Sequence, residues 1–242
     1  MTDVNVRRAV AAEIGKLAGE GAAPVVVHGG GPFIKAALDA AGLEHTFLRG
    51  LRVTTEESLP IIEQVLTLLN KRLAQEVGSA VGLTGRDARV LQAERFDAAL
   101  GLVGRMTGVN EGLLETLLAA QVTPVLACLA EEQGTNALLN VNADEVAGAV
   151  AGTLKAPVVF LSNIPGVLDN ADDTESLLSE LTRADIQDRI GDGRIAGGMI
   201  PKVEAALYAL SQGAPYAVIA DGRSPELLRQ AVAGSVGTRF VA

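Results

Sequence analysis

The feature that most constrains this chain is an apolar run ending in three successive glycines: Pro24-Val25-Val26-Val27 passes directly into His28-Gly29-Gly30-Gly31-Pro32. The run has the length and β-branching of a short buried strand, and Phe33-Ile34-Lys35-Ala36-Ala37-Leu38 returns at once to helical spacing. Strand, glycine turn and helix in such close order is a building unit of α/β folds.

The alternation continues along the chain. Val6, Val10, Ile14 and Leu17 mark an amphipathic helix over 4–18. Ile61, Ile62, Val65, Leu66, Leu69 and Leu73 mark a longer one over 56–77, with Pro60 near its start. Buried strands are expected at 79–83, 123–129, 157–161 and 216–220, and helices at 110–121, from after Asp144 to about Thr153, at 199–212 and at 225–233. Residues 88–106 read as a hairpin excursion, and the acidic span 169–193 as irregular. The pattern predicts an α/β sandwich with helices on both faces of a sheet. A division near residue 155 separates lobes expected to share one continuous sheet, because no linker rich in Pro, Ser or charge stands between them.

Composition narrows the function classes. With 20 Lys and Arg against 29 Asp and Glu, the formal charge of -9 excludes a global basic field for nucleic acid. Aromatics at 3% leave little material for stacking bases. A single Cys excludes an intramolecular disulfide framework, and one Cys with two His argues against a protein-built zinc site. No apolar run approaches the roughly 20 residues that span a bilayer. The opening residues contain acids and lack the apolar core of a signal peptide, so the expectation is a soluble, cytoplasmic protein without membrane or nucleic-acid partners.

Five motifs carry candidate chemistry, each with a plainer reading beside it. In His28–Pro32 the glycines let the backbone approach a ligand and the following helix N-terminus face an anion; the plainer reading is a tight turn. The pattern is neither GxGxxG nor GxxxxGK[ST]. Arg52, in Gly50-Leu51-Arg52-Val53-Thr54, is either a carboxylate clamp or a solvated surface arginine. Asn140-Val141-Asn142-Ala143-Asp144 opens a helix; Asn142 or Asp144 is a competent cap, yet one cap does not require three polar side chains. Lys202 follows Gly197-Gly198-Met199 at a helix entry, where a lysine does not favour the helix dipole but suits a polyphosphate. Gly166, in Ser162-Asn163-Ile164-Pro165-Gly166-Val167, follows a strand and either shapes a nucleotide pocket or turns the chain.

Taken in order and at this spacing, HGGGP, GLRVT, LLNVNAD, FLSNIPGVL and GGMIPKV resemble the acetylglutamate kinases of the amino-acid kinase superfamily over essentially the whole chain. The resemblance implies a three-layer αβα sandwich around a mainly parallel central sheet. Residues 1–155 become an N-terminal lobe for the amino-acid substrate and dimerisation, and 156–242 a C-terminal lobe for ATP. The implied reaction transfers the ATP γ-phosphoryl group to the γ-carboxylate of N-acetyl-L-glutamate, the second step of arginine biosynthesis.

By the same resemblance Gly29, Gly30, Arg52, Asn140 and Asn142 bind acetylglutamate, while Gly31, Ser162, Asn163, Gly166, Gly197, Gly198 and Met199 line the nucleotide. Lys202 stabilises the transferring phosphoryl group and Asp144 holds catalytic lysines in place. Magnesium arrives on the ATP phosphates, no protein-built metal site is implied, and a homodimer is the expected assembly. Two departures stand out. Relatives carry a strand and K-x-G-G ahead of the first helix, whereas Met1 lies almost at that helix. The expectation is that the true start lies upstream, with an impaired nucleotide-binding relative as the alternative. Asn163 stands where many relatives have aspartate. A related kinase of carrier-linked aminoadipate, from lysine biosynthesis, is the alternative substrate reading.

Overall fold

The computed structural model describes residues 3–170, 173–196 and 199–241, so Met1, Asp172, Gly197 and Gly198 lie outside the described residues. By contact the chain forms two compact units: residues 14–146, and residues 147–242 together with 3–13. The sequence placed the division at 155; the contacts place it between Val146 and Ala147, within a helix. Gly148 and Gly152 lie so close to Tyr208 and Gln212 that an added Cβ would come within 2.8 and 2.3 Å of them, which binds this stretch of helix to the second unit.

Helix α1 covers Val4–Gly19. The first unit continues with β1 (Val26–His28), α2 (Gly31–Ala40), the two-residue strands β2 (Phe47–Leu48) and β3 (Leu51–Arg52), and α3 (Ser58–Val77). Then come β4 (Ala80–Leu83), β5 (Leu91–Arg95), β6 (Gly104–Val109), α4 (Glu111–Ala119), β7 (Thr123–Ala127), β8 (Leu129–Glu132), β9 (Leu138–Asn140) and the start of α5 (Ala143–Thr153). Strands β1, β7 and β4 form a parallel sheet with β7 in the middle, Val26 and Gly82 both pairing with Val125. Val125, Leu126 and Ala127 are completely buried, as a central parallel strand covered on both faces requires. The inward stripe of α3, Ile62, Leu66, Asn70 and Ala74 at i+4 spacing, is buried, and the helix packs on β4 and β7. The excursion is a β5–β6 antiparallel pair, extended by β8 and β9 into a four-stranded mixed sheet.

The second unit holds β10 (Val158–Ser162), β11 (Glu180–Thr182), α6 (Arg183–Gly191), α7 (Ile200–Ser211), β12 (Ala217–Asp221), α8 (Leu228–Val232) and β13 (Thr238–Val241). Its sheet order is β10-β12-β13-β11, with β12–β13 antiparallel and the other pairs parallel. Alternate residues of β12 enter different cores. Ala217 and Ile219 join Ile186 of α6 and Val203, Ala206 and Ala209 of α7, while Val218 and Ala220 join Ala231 of α8. This gives the unit helix, sheet and helix layers.

The fold is therefore α/β with flanking helices, as expected. The strands differ from the expected single continuous sheet: among the described residues they form four separate sheets, with β1 and β10 each outermost in its own. The span 169–193 also differs, since its end holds β11 and α6. Thr182 and Asp185 form a reciprocal capping box there, each side chain accepting from the other residue's backbone N–H. No helix among the described residues is long and apolar enough to cross a membrane.

Candidate active site

In the first unit the glycine turn lies at the carboxyl end of β1. Gly30 is the N-cap of α2, its carbonyl accepting from the Ile34 N–H at 2.9 Å, and Pro32 occupies the first turn, where a missing N–H costs nothing. Packing selects the middle glycine: a Cβ on Gly30 would come within 2.9 Å of Leu66 and 3.1 Å of Leu69. Gly29 lies beside the start of α5, its Cβ position 3.4 Å from Ala143, whereas Gly31 faces open space.

Arg52 lies in β3, paired through Phe47 with β2 in a hairpin rather than in a loop. Its guanidinium lies 4.7 Å from the centre of the Phe47 ring, and Nη2 donates to the Gly31 carbonyl at 3.3 Å. Nη1 is buried and has no hydrogen-bond partner. Burial lowers the guanidinium pKa from its ordinary value, with Asp39 acting in the opposite direction. A buried donor without an acceptor is costly unless a ligand completes it.

Behind Arg52 a polar relay reaches β9. The buried Thr54 hydroxyl donates to the Arg52 carbonyl at 3.1 Å and accepts from the Asn140 amide at 3.1 Å. Because that hydroxyl already has its acceptor, the Asn140 NH2 must face it, and the amide oxygen is left for another donor. Asn142 is the helix cap, its oxygen accepting from the backbone N–H groups of Asp144 and Glu145 at 2.7 and 3.4 Å. Asp144 stands in the first turn of α5, where a carboxylate suits the dipole. Neighbouring Glu145 is half-buried: its pKa is raised by desolvation, against which the Met106 N–H at 2.8 Å and Arg105 act. The structure thus brings Gly29, Gly30, Gly31, Arg52 and Asn140 into one connected polar cluster at the start of α5.

In the second unit Ser162 ends β10 opposite Asp221 of the parallel β12. Its hydroxyl lies 3.4 Å from Asn163 Oδ1, and its carbonyl accepts from the Gly222 N–H at 2.8 Å. The carboxyl ends of parallel strands are where open α/β sheets bind ligands. Gly166 has a packing reason of its own, since a Cβ would come within 2.6 Å of Thr238 Oγ1, which accepts from the Val167 N–H. Met199 is the N-cap of α7 and packs against the core, with Pro201 in the first turn beside Lys202. Arg189 and Arg194 pair with Asp169, and Arg223 with Asp221, whereas Lys202 pairs with no carboxylate among the described residues. Nor do three His, Cys, Asp or Glu side chains converge among those residues as a metal cage would need.

Residues 1–221 match the amino acid kinase family model. The chain belongs to the amino acid kinase family. It is 53% identical to the acetylglutamate kinase of Deinococcus radiodurans over 242 residues, covering 100% of this chain and 96% of that protein. It is 46% identical to the acetylglutamate kinase of Thermus thermophilus over 221 residues, covering 89% and 87%. Among solved structures, smu.665 of Streptococcus mutans superimposes with a TM-score of 0.80 at 28% identity, covering 96% of this chain and 91% of that one.

Amino acid kinases are ATP-dependent, and the sequence motifs of this member find their places in the two units. Two residues that the motifs did not single out are hydrogen-bonded to this cluster or to the start of the glycine turn. Thr54, the last residue of GLRVT, joins Arg52 to Asn140. Asn70 carried a visible signal: it is a polar residue between Leu66 and Ala74 on the inward stripe of α3.

Proposed function

We propose that this protein transfers the γ-phosphoryl group of ATP to the γ-carboxylate of N-acetyl-L-glutamate, giving N-acetyl-L-glutamyl 5-phosphate and ADP. The observation that carries the reading is the buried, unpartnered Nη1 of Arg52 beside the glycine turn. A planar fork with one arm on Gly31 and one free suits a substrate carboxylate. The free amide oxygen of Asn140 suits the acetamido N–H, a group that glutamate itself lacks. Gly29 and Gly30 offer backbone amides to the reacting end, and Asn142 supports this pocket by fixing the start of α5.

The nucleotide belongs to the second unit in this reading. Ser162 ends β10, Asn163 and Gly166 follow it, and Met199 and Lys202 open α7; Gly31, Gly197 and Gly198 are assigned to the nucleotide by sequence. A carboxylate oxygen of the substrate attacks the γ-phosphorus in line while the bond to the β–γ bridging oxygen breaks. The protein supplies position and charge rather than covalent chemistry. Lys202 neutralises charge that builds on the leaving oxygen, and Asp144 contributes the carboxylate that orients cations at the reacting end. Magnesium enters on the ATP phosphates.

We further propose a homodimer, supported by the exposed Phe47 and Leu68 of the first unit; light scattering of the purified protein tests it, and a monomer rejects it. Substrate choice is tested by parallel assays with N-acetyl-L-glutamate and carrier-linked aminoadipate. Turnover of acetylglutamate alone supports the reading, and preference for the carrier-linked substrate transfers it to the other kinase.

A further inference from the structure

We infer that His28 and Asn70 are positioning residues for the glycine turn: Asn70 locks His28 as the Nδ1–H tautomer, and that N–H fixes the Gly29 carbonyl. The effect on turnover rests on the kinase reading above; the lock itself does not.

Asn70 is completely buried on the inward stripe of α3. Its NH2 donates to the Val125 carbonyl in β7 at 2.8 Å and faces His28 Nε2 at 3.1 Å. Turning the amide over would set its oxygen against the Val125 carbonyl, acceptor against acceptor. As it stands, Oδ1 has no hydrogen-bond partner and lies against Gly82, where an added Cβ would come within 2.1 Å of it. The amide orientation is therefore fixed, and Nε2 must be the acceptor. The ring proton is then on Nδ1, 3.0 Å from the Gly29 carbonyl, to which it donates. An imidazolium would set N–H against N–H at Asn70, and burial lowers the His28 pKa in the same sense.

The glycine turn has no side chains with which to orient its peptide planes. No cis peptide occurs among the described residues, so holding the Gly29 carbonyl points the Gly30 N–H the opposite way. That amide is among those offered to the reacting groups. A leucine at position 70 would fill the stripe without leaving an unpaired oxygen, so stability alone does not account for asparagine there.

Nitrogen-15 NMR of histidine-labelled protein at pH 7 tests the lock directly, with His45→Gln assigning the two histidines. The expected result is a protonated Nδ1 and an unprotonated Nε2 on His28, with that preference lost in Asn70→Leu. A predominant Nε2–H tautomer or an imidazolium in the parent protein overturns the inference. Turnover tests its consequence. His28→Ala lowers kcat about 10- to 100-fold with the acetylglutamate KM within about threefold. His28→Asn, which returns an N–H near the position of Nδ1, recovers most of kcat. An unchanged kcat in His28→Ala, or equal losses in the two variants, overturns the positioning role. If the parent protein does not turn over acetylglutamate, the kinase reading fails while the NMR result still decides the lock.

Discussion

The Asn140 side-chain amide donates to Thr54 Oγ1 at 3.1 Å, joining residues 86 positions apart in sequence. Since Thr54 in turn donates to the Arg52 carbonyl, the end of β9 sets the backbone that carries the guanidinium. Thr54→Val keeps the shape and removes the relay, leaving a carbonyl and an amide without their partner. The expected cost is about 1–3 kcal/mol of stability, with a raised KM for acetylglutamate. Thermal unfolding and steady-state kinetics check this, and parent-like values of both reject the relay.

Arg52→Ala removes the fork that awaits the substrate. The expected loss in acetylglutamate binding is about 2–5 kcal/mol if the pair is desolvated, with ATP binding unchanged. Arg52→Lys recovers only part, because a point charge cannot reach Gly31 and the substrate together. Calorimetric titration with each ligand measures both. An unchanged acetylglutamate affinity in Arg52→Ala returns Arg52 to a surface role.

Lys202 pairs with no carboxylate among the described residues, so its removal is expected to cost little stability and much rate. Lys202→Ala lowers kcat by roughly 10²–10³, the scale of losing one preorganised donor, and Lys202→Arg restores a fraction. Single-turnover phosphoryl transfer at saturating ATP and acetylglutamate is the readout. A rate within about twofold of the parent contradicts a transition-state role.

Burial pushes the Cys128 thiol up to about 12, the neighbouring charge of Asp144 acting in the same direction. The native thiol is therefore neutral at pH 8, and iodoacetamide is expected to label it only after unfolding. The sign for stability follows. The unfolded thiol loses its proton near 9 and the folded one near 12, so this group's contribution is intact below about 9 and falls as pH rises between them. Rapid labelling of the folded protein at pH 8 contradicts the burial.

Glu145 gives a second pH test. Its raised pKa means that ionisation opposes folding as pH climbs above the ordinary glutamate value. Glu145→Gln still accepts from the Met106 N–H and carries no charge, so its stability is expected to exceed that of the parent at pH 7 and to match it more closely in acid. Denaturant unfolding at the two pH values decides, and a less stable variant at pH 7 refutes the assignment.

Local periodicity made the long elements legible in sequence. The stripes of α1 and α3 and the apolar runs of β7, β10 and β12 each lie within a single stretch of chain. Strands β2, β3, β8, β9 and β13 were missed because they are short and owe their existence to partners elsewhere, as β13 does to β11 and β12. The acidic run before α6 obscured Thr182-Arg183-Ala184-Asp185, although its capping-box spacing is a local signal. At the site, Gly30, Arg52 and Asn140 stood out by residue type and neighbours. Thr54 did not, and Asn70 showed only as a polar residue in the α3 stripe, because their roles exist only once β9 meets the arginine hairpin and the Asn70 amide faces His28. Asn142 was legible as a helix cap, and its oxygen accepts from two backbone amides at the start of α5.

The most direct test of the proposed reaction is to trap its product. An acyl phosphate formed from acetylglutamate and ATP reacts with hydroxylamine to release phosphate and leave a hydroxamate, which mass spectrometry identifies. The prediction is N-acetylglutamyl hydroxamate in amounts matching ADP release, dependent on both substrates and far exceeding the product from L-glutamate. No hydroxamate from acetylglutamate, or equal amounts from L-glutamate, would contradict the assignment.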